Sequence, residues 1–305
     1  MNAGGPEHRA SWIGLAAAAY EAPDRIQAEL TSLAAVIGPW RVVWQAQSHD
    51  GANLVYVARH LEEDLLALVI RGSLVHPLDR GFWTDWARED LDILHQVPVP
   101  FGRHDDARIA AGMRLAFDHI MSMSSEGLSL KAFLLGELRA GQDRLWITGH
   151  SLGGALVPIL ACWFRDVLFE ENATDTDFMT PVSFAGPTPG NAAFAKLVEA
   201  QFDGFPYRFV NELDMVPHTW TPEGLRWIMR SYRPRPKIPH WFRFTCVIVR
   251  GWMWWRRFRY AQPGSGVTLP GQLDGAKEWF AEVAHQHSID TYHSLLVPRS
   301  QDDAG

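Results

Sequence analysis

LWITGHSLGG, running from Leu145 to Gly154, is the stretch whose reading decides the fold. Leu145 to Thr148 are bulky or β-branched with no polar alternation, the pattern of a parallel strand buried on both faces. Ala155 to Phe164, ALVPILACWF, is too long for a strand and apolar enough for a helix packed on a sheet. Between the two lies Gly149-x-Ser151-x-Gly153, the strand-to-helix turn known as a nucleophile elbow. Such a turn holds its serine at positive φ, and a Cβ on either neighbouring glycine would crowd strand and helix. The serine hydroxyl is thereby raised above the sheet edge. A bare GxSxG is a weak signal, and without chemistry the same residues make an ordinary glycine-rich turn. The strand before it and the helix after it give it weight.

Upstream, the spacing predicts two helices between Trp12 and Ile37, divided near Pro23 and Asp24. Trp40 to Gln47, Asn53 to His60 and Leu65 to Arg71 read as strands of an antiparallel meander, with turns at His49 to Gly51 and at Glu62 to Asp64. The third is continuously apolar and ends in Arg71-Gly72-Ser73, so it is expected to be a central strand opening into a loop. That loop, Leu74 to Asp106, holds Phe82, Trp83, Trp86 and Phe101, and Asp85, Glu89 and Asp90 are expected on a short helix within it. Ala107 to Met123 and Leu128 to Arg139 have helical spacing.

Downstream, Pro158 is expected to kink the elbow helix. Thr180 to Ala185 and Tyr207 to Asn211 are the next strands, with a helix capped by Asn191 between them. Gly264 to Gly275 reads as a loop. Ala276 to Leu296 starts as a helix and ends in a histidine-rich stretch, His285, His287 and His293. Helices alternating with strands in this way point to an α/β domain spanning 1–305, a mostly parallel central sheet flanked by helices.

Thr221 to Gln262 differs in composition. Nine Arg and Lys residues, from Arg230 to Arg259, interleave with Trp241, Phe242, Phe244, Trp252, Trp254, Trp255 and Phe258. One reading is a cap or surface insertion whose arginine stems lie over a sheet edge. The other is a basic, tryptophan-rich face that meets anionic membrane lipid.

A hydrophobic content of 47% and a charged content of 21% are those of a globular chain. The formal charge of −7 argues against general nucleic-acid binding. Cys162 and Cys246 are too few for a disulfide framework. Without a convincing targeting signal or an uninterrupted apolar run of membrane-spanning length, a cytoplasmic location is favoured.

A serine hydroxyl attacks only if a base takes its proton; histidine has a suitable pKa, and a carboxylate behind it fixes the tautomer. The chain order Ser, acid, His of hydrolase elbows is met by Ser151, Asp214 and His287. Glu212 is the runner-up acid, alternating to the same strand-end face as Asp214, and His285 is the next candidate base. His150 and His218 read as structural. No acid cluster gives these histidines metal-ligand spacing, so neither metal nor cofactor is expected.

Arg71-Gly72-Ser73, Thr84 to Asp90, Gly149 to Ala155, Asn211 to Pro217 and His287 to Tyr292 together resemble the successive motifs of the class 3 lipase family. The resemblance spans Leu65 to Leu296. It implies an α/β-hydrolase fold and hydrolysis of acylglycerol or related carboxylic esters, with Ser151 as nucleophile, Asp214 as acid and His287 as base. It places the oxyanion hole at the backbone N–H groups of Ser73 and Leu152, with the Ser73 hydroxyl as a third donor. The segment from Thr221 to Gln262 is longer and more basic than the corresponding connection in that family. Rival readings are a non-catalytic binding or scaffold protein on the same fold, and an acyltransferase or peptidase using the same three residues.

Overall fold

The computed structural model describes residues 6–297 except 50, 73–91, 93, 142–143, 173–176, 233, 235 and 258. Counting the strands of the main sheet alone, these are β1 (Trp40–Gln47), β2 (Leu54–His60), β3 (Leu66–Ile70), β4 (Leu145–His150), β5 (Met179–Phe184), β6 (Arg208–Asn211) and β7 (Val267–Leu269). They lie side by side in chain order. β1, β2 and β3 pair antiparallel, as the meander required, and every later neighbour is parallel.

The α-helices among the described residues, in chain order, are α1 (Arg9–Ala18), α2 (Ile26–Ser32), α3 (Ala34–Ile37), α4 (Ala111–Ser122), α5 (Leu130–Arg139), α6 (Leu152–Glu170), α7 (Ala192–Gln201), α8 (Pro222–Ile228), α9 (His240–Trp255), α10 (Trp279–His287) and α11 (Ile289–Leu296). Two hydrophobic cores sandwich the sheet. Alternate residues of the central strands divide between them, so Val55, Val57, Leu68, Ile70 and Ile147 face the core under α4, α5 and α6. Tyr56, Ala67, Val69 and Trp146 face the other, where Trp12 of α1 and Tyr292 of α11 meet them. A strand buried on both faces has no polar side to advertise, which is why β3 and β4 read as unbroken apolar runs.

Helix α6 runs through Pro158 without interruption from Leu152 to Glu170. It is the one helix among the described residues long and apolar enough to cross a membrane, yet 83% of its most apolar 18-residue stretch is buried. Its apolarity is that of a core helix.

Four expectations need correction. Arg108 to Ala110, expected to begin a helix, is a short strand paired with Gln96 to Pro98, and the helix starts at Ala111. Val267 to Leu269, inside the expected 264–275 loop, forms β7 and pairs with Phe209 to Asn211 of β6. The N-terminal region has a second break at Leu33, beyond the one near Pro23. The last helical region is split at Ser288, whose extended backbone (φ −65°, ψ 145°) ends α10 and whose Oγ accepts the Thr291 N–H, capping α11. Cys162 and Cys246 are both buried free thiols.

Candidate active site

Ser151 sits between β4 and α6 with φ 59° and ψ −125°, a backbone conformation a residue with a side chain keeps only under constraint. The constraint is local. Its N–H donates to the Phe184 carbonyl and its carbonyl accepts the Ala155 N–H. Gly153 lets the first turn of α6 press onto β3, since a Cβ there would lie 2.2 Å from the Ile70 carbonyl oxygen. The serine is thus fixed at the C-terminal end of the central strand, where open α/β sheets bind ligands.

The acid and the base arrive from later elements. Asp214 follows β6 in a turn that closes when its Oδ1 accepts the Val216 N–H at 2.9 Å. His287 is the last residue of α10. Its Nδ1 is 2.8 Å from Asp214 Oδ2 and its Nε2 is 2.8 Å from Ser151 Oγ. All three are buried, at 0% exposure for Asp214, 4% for His287 and 6% for Ser151. With Asp214 ionised and bonded to Nδ1, the neutral imidazole carries its proton on Nδ1 and offers the Nε2 lone pair to the serine.

A fourth residue completes this chain. Tyr292 Oη donates to Asp214 Oδ2 at 2.8 Å and accepts the Asn211 N–H at 3.0 Å. Burial and the Asp214 charge push its phenol well above the usual range, so it stays a donor. Sequence reading used Tyr292 only as the end of a motif, and its position five residues after His287 is the signal for it.

The acid turn and the base helix are also tied together directly. Asn211 Nδ2 donates to the Gln286 carbonyl and side-chain oxygens, and Gln286 Nε2 donates to Glu282. Glu282, wholly buried, accepts backbone N–H groups from Asp274 and Ala276. Each polar group in this bridge has a partner, as a buried network must.

His150 lies against the base, ring centroids 4.9 Å apart, with Nδ1 2.8 Å from Tyr20 Oη. Burial, and secondarily the neighbouring His287, hold its pKa well below the usual histidine value, so it is neutral. Tyr20 comes from 130 residues away and has no local sequence signal. His218 stacks on Trp227 at 4.1 Å and is also pushed down by burial.

Glu212 points elsewhere. It is exposed and borders a cleft with Arg230 and Tyr232, whereas Asp214 is enclosed, because the chain turns after Asn211 and the strand alternation does not continue. His285 is exposed, and only His287 among the described histidines bonds to Ser151. Leu152 is the first residue of α6, so its N–H has no acceptor within the helix and faces the serine end. Ser73 and the expected Asp85, Glu89 and Asp90 helix lie outside the described residues. No cluster of three or more His, Cys, Asp and Glu is placed to hold a metal among the described residues.

With this geometry in view, the likeness to known proteins can be placed. Residues 85–223 match the family model described as Lipase (class 3). The fold resembles the M37 lipase, with a TM-score of 0.77, 19% identity and 95% of this chain covering 92% of that one. It also resembles the lipase from Rhizopus microsporus var. chinensis, with a TM-score of 0.57, 17% identity and 96% of this chain covering 87%. The Rhizomucor miehei triacylglyceride lipase aligns at a TM-score of 0.54 and 24% identity, over 70% of this chain and 73% of the other. The fold is that of the α/β-hydrolases.

Proposed function

We propose that this chain is a serine carboxylic-ester hydrolase of lipase type, acting on acylglycerols or related lipid esters through an acyl-serine intermediate. The observation that carries the reading is the unbroken hydrogen-bond chain from Ser151 Oγ through His287 to Asp214, set at a strained strand-to-helix turn.

In this reading His287 Nε2 takes the hydroxyl proton as Ser151 Oγ attacks the ester carbonyl carbon. The carbonyl oxygen becomes an oxyanion, received by the backbone N–H groups of Leu152 and Ser73. His287 then passes the proton to the departing alcohol oxygen, and the acyl group remains on Ser151. A water molecule, deprotonated by the same nitrogen, releases the acid and restores the serine. Asp214 stays ionised throughout, and Tyr292 and the Val216 N–H hold its two oxygens so that it orients the imidazole. The reading includes peripheral contact with an anionic membrane through 221–262, supported by the arginine and tryptophan interleaving there.

The test is Ser151→Ala assayed on a p-nitrophenyl ester. Turnover should fall on the order of a millionfold, because removing the nucleophile disables the whole unit. A fluorophosphonate probe should label the wild-type chain at Ser151 within minutes and leave the variant unlabelled. Full turnover by the variant overturns Ser151 as the nucleophile, and absence of both turnover and labelling in the wild type favours a binding protein.

A further inference from the structure

Helix α9 is apolar on two opposite faces. Phe242, Cys246 and Met253 are buried in the main core, and the first turn of the helix meets the start of α10, with Phe242 5.2 Å from Trp279 and Trp241 stacked 5.8 Å from Phe280. At 100° per residue, the face pointing the other way carries Phe244, Val247, Ile248, Trp254 and Trp255, with the half-exposed Trp241 at its edge. All six are exposed, Phe244 by 66% and Trp254 by 82%. They are half of the large hydrophobic side chains that stand exposed among the described residues. A helix whose solvent side is apolar needs something other than water against it.

The charge around the stripe says what. From Gly224 to Leu273 there is no Asp or Glu, while ten Arg and Lys residues fall in that window. In the rest of the chain eighteen Lys and Arg stand against all 35 Asp and Glu. An acidic protein has therefore collected a strong positive charge around one exposed apolar helix. Arg243 and Arg250, seven residues apart, flank the stripe on one side and enter none of the ion pairs among the described residues. Their stems can lie along apolar surface while the guanidinium groups reach outward. A second copy of this chain, net negative and with the same basic helix, would bring like charges together; a soluble apolar ligand would leave the arginines unused.

We infer that α9 is the docking helix for an anionic lipid surface, lying in its plane with Phe244, Ile248, Trp254 and Trp255 in the acyl boundary and Arg243 and Arg250 at the lipid phosphates. This is the geometry of an in-plane amphipathic anchor. The inference rests on the hydrolase reading only for its purpose, which is to hold the chain where its esters are. The anchor is structurally close to the catalytic acid: Phe242 meets Trp279, Trp279 lies 5.9 Å from Tyr232, and Tyr232 Oη donates to the carbonyl of Leu213 beside Asp214. A docked surface thus stands on the side of the molecule that carries the acid turn.

The test is flotation of the full chain, in the Ser151→Ala form so that lipid is not consumed, with phosphatidylcholine vesicles with and without phosphatidylglycerol. Binding should require the anionic lipid and weaken at high salt, as surface charges are screened. Arg243→Gln with Arg250→Gln should weaken it about 30-fold, the loss expected for two surface charges. Phe244→Asp with Trp254→Asp should abolish it. Both pairs, made with Ser151 intact, should turn over a soluble ester as wild type does, which shows that the fold survives. Loss of ester turnover in Ser151→Ala with vesicle binding retained keeps the two readings separate. Absence of flotation at low salt, equal flotation of all forms, or equal flotation on phosphatidylcholine alone overturns the inference. A stable dimer that Phe244→Asp with Trp254→Asp takes apart also overturns it, by assigning the face to a second copy.

Discussion

The serine pole and helix α9 break the ordinary inside-outside rule in opposite directions. At the first, a serine, a histidine, an aspartate and a tyrosine are buried, and each polar atom that matters has a partner at 2.8 to 3.0 Å. At the second, tryptophan, phenylalanine and branched aliphatic side chains stand in solvent beside arginines. Burial of a polar group costs stability unless it is satisfied, and a contiguous exposed apolar stripe points to something that covers it. The Ser151, His287 and Asp214 chain is closed by residues of the chain itself, whereas the proposed role of α9 needs a surface from outside. On the two readings proposed above, activity on soluble esters and attachment to lipid would be separable properties, held in different residues.

The largest break in that contrast, after loss of the nucleophile, is Asp214→Asn. An amide can hold the imidazole in place but favours the wrong tautomer, so kcat should fall on the order of 10⁴-fold. Glu212→Gln, its exposed neighbour two residues earlier, should leave kcat within a factor of about 3, as surface substitutions away from a site do. If the two effects were reversed, the acid would have been misassigned, and steady-state kinetics on a soluble ester decides.

A middle-sized effect concerns the buried pole and pH. His150 is held neutral in the folded chain, its pKa pushed well below the ordinary value near 6.5. The unfolded chain takes up a proton as pH falls below that value, and the folded chain does not. Stability is therefore fully present above about pH 6.5 and declines below it by about 1.4 kcal/mol per pH unit until the folded pKa is reached. His218 is shifted in the same direction and adds its own slope. His150→Gln should remove one of the two slopes, so the gap between urea midpoints at neutral and mildly acidic pH should narrow. An unchanged gap would mean that His150 is charged where it stands.

The smallest effect belongs to the exposed region. Trp254→Ser removes a large side chain that touches mostly solvent, and urea unfolding should move by no more than about 0.5 kcal/mol. A large destabilisation would show that the stripe on α9 belongs to the core, and would erase the contrast between the two regions.

Much of the serine pole could be read along the chain because its parts are local. Gly149 to Gly154 carries the turn in six residues, and the acid and the base each lie in a short recognisable stretch. What could not be read depends on contacts between distant residues. β7 is three residues among Gly264, Gly266, Pro270 and Gly271, too short for its β-branched Val267 and Thr268 to stand out, and it pairs with the edge that Phe209 to Asn211 offers 58 residues upstream. Tyr20 finds His150 across 130 residues, and no periodicity marks it. In the basic segment the composition was plain, but which rings face outward depends on how α9 is rotated against Trp279 and Phe280. Glu212 and Asp214 share a parity that would place them on one face of a continuing strand, and the turn after Asn211 separates them.

The order of strands across the main sheet has a consequence in time. Because neighbours in space are neighbours in the chain, a ribosome delivers this sheet from one edge to the other, each new strand meeting a partner already made. The serine emerges first and the carboxylate some sixty residues later, but the imidazole that must connect them comes after the last strand, on a helix followed by one that closes against α1 near the start. A growing chain therefore carries an inert alcohol from the synthesis of Ser151 to that of His287, and on this reading becomes reactive only when α10 has packed against the sheet.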